Sequence, residues 1–235
     1  MIPLHDNNPT RRFPVVTRLL LGANILLWLY VLNLSRTPGS AEAFYDRYAF
    51  DWNVFSAALV GGHVNPQLFV PLIAHMFLHG GWLHVIGNLL YLWIFGDNVE
   101  DALGSAPFLV FYVLCGIAAA IGQGLLAAGP LVGASGAIAG VLGAYLIMYP
   151  TARVSTLVFL GIFISIIELP SIIVIGMFIV LQVIEGVVEL RLSLHPATQQ
   201  IAYFAHLFGF LAGMLLLPLM RRNTGATRRV RAGWG

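Results

Sequence analysis

From Val15 to Leu34 the chain runs for 20 residues with Arg18 as its one charge. A helix needs about 20 apolar residues to cross the roughly 30 Å hydrocarbon core of a bilayer. Comparable stretches follow at 82–103, 106–128, 135–150, 171–190 and 200–220. With 59% hydrophobic and 9% charged residues, a soluble domain of 235 residues could not hide this apolar surface. The expected fold is an all-α integral membrane protein of six transmembrane helices, the fourth short. Its divisions would be a cytoplasmic tail at 1–14, a membrane domain at 15–220 and an Arg-rich cytoplasmic tail at 221–235. A cleavable signal peptide is not expected, because Val15–Leu34 is long enough to span and lacks a small-residue cleavage site. A net charge of +2 gives no ground for nucleic-acid binding.

Arginine placement sets the orientation. With the N-terminus in the cytoplasm, Arg11, Arg12, Arg18, Arg153, Arg221, Arg222, Arg228, Arg229 and Arg231 lie inside, and Arg36, Arg47 and Arg191 outside. Both termini are therefore expected in the cytoplasm of a plasma-membrane protein. The long loop 35–81 carries Phe44, Tyr45, Tyr48, Phe50, Trp52 and Phe55. Six exposed aromatics point to an element half-sunk in the outer leaflet. The segment 155–169 is too short to span and is placed on the cytoplasmic interface.

The fourth apolar segment raises a chemical question. Sixteen residues between Gly133 and Pro150 cover about 24 Å, less than the membrane core. With Pro150 and Arg153 at the cytoplasmic surface, the helix must begin inside the membrane, at "GASG". Irregular backbone at that depth is tolerated only inside protein or beside a watered cavity. Ser135 thus stands at a buried helix N-terminus, where unpaired N–H groups and the dipole favour an anion. By itself a serine among glycines is more often a packing residue.

A nucleophilic serine needs a base. His206 in "FAHLFGFLAG" lies about 9 Å below the outer end of the last span, near the depth inferred for Ser135. Gly209 and Gly213 share its face, and Gly136, Gly140 and Gly143 offer a matching face on the fourth helix. His84 and Asn88, four residues apart, can both donate toward one point, as an oxyanion hole requires; the plainer reading is polar glue between helices. His75, His79 and His84 could form a zinc site, but no thiolate or nearby carboxylate completes it. No metal and no cofactor is expected. No acid is clearly placed to orient His206, so a Ser–His dyad without a third member is expected, with Glu185 and Glu189 left open.

"HMFLHGGWLHVIGNLLYLWIFGDNVED", "GASG" and "AHLFGFLAG", in this order on three membrane segments, resemble the rhomboid intramembrane serine proteases. The likeness runs from about residue 68 to 220. It implies the six-helix bacterial form and cleavage of the transmembrane segments of protein substrates near the outer surface. Ser135 would be nucleophile and His206 general base, with His84, Asn88 and the Ser135 N–H holding the oxyanion. Two departures stand out. Val70 and Pro71 occupy the place of a Trp-Arg pair found in many relatives. Ala139 stands where some relatives place a Tyr that packs on the histidine. The alternative function is a noncatalytic rhomboid-like membrane protein that binds or escorts clients. Besides its substrate, the chain would contact membrane lipids. A substrate gate is expected on the fifth span, where Phe178 and Leu181 could pack against the second.

Overall fold

The computed structural model describes residues 1–127, 129–160, 163–192 and 202–221. The Arg-rich tail from 222 onward and most of the polar loop before the last helix lie outside the described residues. The backbone forms α1 (Val15–Leu34), α2 (Ser40–Tyr48), α3 (Trp52–Val60), α4 (Pro71–Ala74), α5 (Trp82–Leu103), α6 (Ser105–Leu126), α7 (Ser135–Met148), α8 (Ser171–Leu192) and α9 (Tyr203–Met220). Among the described residues, α1, α6, α8 and α9 are long and apolar enough to cross a membrane. A fifth span results if Pro66–Phe77 and α5, bent by 84° at their junction, count as one. The remaining expected span, the short fourth one, is α7, with 14 residues, about 21 Å of helix. The chain is a multi-pass membrane protein. Leu19, Leu26, Leu215 and Leu219, each at least 66% exposed, show the outward apolar surface of such a bundle.

α7 is the core. Every residue from Gly136 to Tyr145 is buried, with α5, α6 and α9 packed around it. A helix apolar on all sides can be satisfied only by neighbours on all sides. Glycines bring one neighbour very close. A Cβ on Gly209 would stand 2.0 Å from the Gly136 carbonyl oxygen, and one on Gly213 2.0 Å from that of Gly140. One on Gly143 would stand 2.4 Å from the Phe210 oxygen. The expected glycine faces of α7 and α9 therefore meet backbone to backbone, the small-residue packing that lipid-embedded helices favour.

Glu100, buried near the end of α5, ties three helices. Its carboxylate accepts from the Val16 and Thr17 N–H groups, the Thr17 hydroxyl and the Ser105 hydroxyl. Two unpaired donors at the α1 N-terminus are thus met by an anion from another helix. The Arg18 guanidinium lies 3.7 Å from the centre of the Trp93 ring, adding a second α1–α5 contact.

At the same end, the interfacial segment forms β4 (Arg153–Leu160) and β5 (Phe163–Pro170), an antiparallel pair. β1 (Ile2–Asp6) joins the other edge of β4, so the segment expected as a tail is partly folded into a sheet. The Tyr145 hydroxyl donates to the buried Asp6 carboxylate. Loss of water holds the Asp6 carboxyl above the 3.8 of a free aspartate, although the Tyr145 bond pulls the other way. β5 leads directly into α8. The Ser171 N–H donates to the Ala152 oxygen at 2.8 Å, its hydroxyl to the Tyr149 oxygen, and the Ile172 N–H to the Pro150 oxygen at 3.1 Å. Beyond this anchor α8 is loosely held: 22% of its apolar window is buried, against 33–44% for the other three long helices.

The loop 35–81 differs from expectation. Its aromatics do not all face outward. Phe50 and Phe55 are buried in a small second core with Leu72, Ala119, Ala120, Leu131 and Ala205. β2 (Phe50–Asp51) pairs with β3 (Pro130–Leu131), clipping the loop to the segment before α7. Apolar rings that find a partner surface on α6 leave water and lipid alike. Phe44, Tyr45, Tyr48 and Trp52 remain partly exposed.

Candidate active site at the start of α7

Gly133, at φ +126°, makes the turn that starts α7; a side chain is strained in this left-handed region. The Gly133 N–H donates to the His75 oxygen at 2.9 Å, which ties the turn to the segment that precedes α5. Ser135 is the first helical residue, so its own N–H and those of Gly136 and Ala137 have no carbonyl partner within the helix.

Two of the expected residues meet at this turn. A Cβ on Gly133 would meet His84 Nε2 at 2.6 Å and Ser135 Oγ at 3.5 Å. The space held open by glycine is therefore bounded by the serine hydroxyl and one imidazole nitrogen. The other nitrogen, His84 Nδ1, accepts from the Gly80 N–H at 3.4 Å. In a neutral ring this leaves the proton on Nε2, facing the turn as a donor. Asn88, one helical turn further along α5, is 8% exposed, and its Nδ2 has no partner among the described residues. A buried amide donor left unused is costly, and such a group commonly awaits a ligand.

His206 reaches the same level through the glycine seam. A Cβ on Gly136 would lie 3.5 Å from the oxygen of Ala205, its chain neighbour. Gln123 of α6 accepts from the Ala205 N–H at 2.9 Å, which holds the first turn of α9 in place. The His206 ring is 9% exposed. Its Nδ1 is hydrogen-bonded to Gln182 Oε1 on α8, and its ring centre lies 5.8 Å from that of Phe178. Phe178 also contacts Tyr91 of α5 at 5.6 Å, so it sits between α5 and α9. Leu181, the other expected gate residue, is 47% exposed. It does not pack into the bundle, because its position on α8 turns it outward.

Of the other expected histidines, His79 has both ring nitrogens buried without a hydrogen-bond partner among the described residues. His75 Nδ1 is 3.0 Å from the Pro71 oxygen, and His79 packs edge-on against His84 with ring centres 5.1 Å apart. Among the described residues no three His, Cys, Asp or Glu side chains converge as a metal site. Glu185 is exposed and the side chain of Glu189 lies outside the described residues. Sequence reasoning missed Gln182. Its signal was one uncharged polar residue inside "FIVLQVIEG", and polar residues within spans face the bundle or a cavity.

Comparison with known proteins places the chain among its relatives. The model of the family described as Rhomboid domain matches residues 66–223. The chain is 32% identical over 142 residues to the putative rhomboid protease YdcA of Bacillus subtilis, covering 59% of this chain and 64% of that protein. It is 40% identical over 80 residues to the rhomboid protease GluP of Bacillus subtilis, 34% of this chain and 15% of that one. It is 33% identical over 97 residues to the mitochondrial Rhomboid protein 1 of Saccharomyces cerevisiae, covering 38% and 28%. In each case the chain spans less than two thirds of the relative's length.

Proposed function

The chain belongs to the rhomboid family, and from the groups gathered at Gly133 we propose that it is an intramembrane serine endopeptidase. It would cleave peptide bonds in or near the transmembrane segments of other membrane proteins. It would lie in the plasma membrane with six spans, α7 completing the set, and with both termini in the cytoplasm. The observation that carries this reading is the pairing of complementary groups at one helix start. A hydroxyl and an Nε2–H donor border the same glycine-made space, and an unused amide donor lies one turn away.

The chemistry follows from the proton positions. With Nδ1 of His206 donating to Gln182, its Nε2 carries the lone pair and can take the Ser135 proton. Oγ then attacks the substrate carbonyl carbon, and charge moves onto the carbonyl oxygen. His84 Nε2–H, Asn88 Nδ2–H and the Ser135 N–H are the donors for that oxyanion, in a site where little water competes. The proton held on His206 passes to the departing amine as the C–N bond breaks, leaving an ester on Ser135. Water, its proton taken by His206, attacks this ester; as the bond to Oγ breaks, the proton passes from His206 to Oγ, which releases the acid and restores the serine. The test is cleavage of a transmembrane substrate by purified wild type, Ser135→Ala, His206→Ala and the double variant, with fluorophosphonate labelling of the serine. Residues that act as one unit lose about the same activity singly and together. Cleavage or labelling that survives Ser135→Ala would overturn the reading.

A further inference from the structure

We infer that Gln182 is the positioning residue of His206, the third member that the expected dyad lacked. The inference rests on the proposed Ser135–His206 chemistry. Two contacts from one face of α8 define the ring. Gln182 Oε1 is hydrogen-bonded to Nδ1, and the ring of Phe178, four residues earlier and thus one turn away on the same face, stands 5.8 Å from the imidazole centre, tilted by 41°. The first contact fixes the rotation of the ring and its tautomer, and the second fixes its plane. Together they leave Nε2 unprotonated and set its direction. A histidine base without such an orienting partner spreads over two tautomers and several ring rotations, most of them unproductive.

The residue type fits the surroundings. A carboxylate here would have to be buried beside a neutral ring in the most loosely packed span, where an uncompensated charge costs several kcal/mol. A glutamine amide accepts the same Nδ1–H bond with no charge to desolvate. It also offers a side chain long enough to reach from α8 to the His206 ring on α9. The orienting role thus lies on a neighbouring span, and no residue of α7 or α9 has to supply it.

Gln182→Met keeps the length and bulk and removes the acceptor. Against a short soluble peptide, kcat should fall about 10- to 100-fold, the usual range for a misaligned reacting group, while KM stays within about threefold. Gln182→Glu restores an acceptor but must bury its charge beside a neutral ring, so it should recover part of the lost kcat. In 15N spectra with histidine labelled, the His206 signal (assigned with His206→Ala) should report the Nδ1–H tautomer in wild type and a mixture in Gln182→Met. A Gln182→Met enzyme with wild-type kcat overturns the inference, as does an Nε2–H tautomer of His206 in wild type. The second readout needs no variant of Gln182 to fold. If Ser135→Ala still cleaves, the serine mechanism itself fails, and the two failures are distinguishable.

Discussion

Gly209→Ala is the sharpest test of how the fold holds its reacting groups. The added Cβ would lie 2.0 Å from the Gly136 carbonyl oxygen. Ordinary contact begins at 3.4 Å, so α7 and α9 must part by about 1.4 Å there. The obstacle is backbone, so no side-chain rotation relieves it. Overpacking of this kind costs about 1–3 kcal/mol. Gly136 follows Ser135 directly and Gly209 lies one turn from His206, so the displacement falls on the proposed reacting pair. A shift of about 1 Å there costs roughly 10²-fold in rate. Gly213→Ala makes an equal clash with the Gly140 oxygen, but about 6 Å further along the axis. It should cost similar stability and less activity, about tenfold. Gly22→Ala in α1 meets nothing within 4 Å; it should leave cleavage unchanged and stabilise by up to about 1 kcal/mol. The assay is the initial rate of cleavage in detergent micelles, with serine labelling and thermal unfolding on the same samples. Wild-type rate and unfolding temperature in Gly209→Ala would refute the seam. Equal rate losses in the Gly209 and Gly213 variants would assign the effect to folding and not to alignment.

Three further outcomes are expected. Asn88→Ala removes one oxyanion donor and should lower turnover about 10²–10³-fold while serine labelling stays detectable; normal turnover would make Asn88 structural. Phe178→Ala should speed cleavage of a membrane-embedded substrate relative to a soluble peptide, because the ring fills the gap between Tyr91 and His206, whereas the outward Leu181 should give no such selectivity; equal effects of Phe178→Ala on both substrates would place access elsewhere. Asp6, held protonated above 3.8 by burial, binds more protons folded than unfolded, so its contribution is greatest below that value and is lost as pH rises through its folded pKa. The unfolding temperature of Asp6→Asn should therefore gain on wild type between pH 4 and pH 7, and a gap independent of pH would contradict this.

What could be read from the sequence was local. The runs that became α1, α6 and α9 carry their own length and hydropathy, and the start of α7 at Ser135 follows from a glycine, a short segment and Pro150. The seam was visible because glycines spaced along two helices define faces whatever their partner. Long-range pairings were hidden. Nothing in Ile2–Asp6 names β4 as its neighbour about 150 residues away, and nothing around Glu100 tells that the start of α1 rests on it. Phe50 and Phe55 showed hydrophobicity but not the α6 surface that covers them. Gln182 was a polar residue in a span, and its meaning depends on which helix its face meets.

The hydrogen bonds at Ser171 make α8 a lever with its fulcrum at one end. Val174 and Ile175, close to that fulcrum, are 5% and 0% exposed and hardly travel when the helix swings. Gln182 lies eleven residues out, about 16 Å along the axis. A tilt of about 10° carries it roughly 3 Å, enough to break a hydrogen bond, while Val174 shifts by less than about 1 Å. Such a swing would also draw Phe178 from between Tyr91 and His206, so if the proposed substrate enters past α8, the same motion would disarm the proposed base. Door and trigger would then be interlocked: an open site would be an idle one, and a segment that entered without letting α8 return would be held uncut.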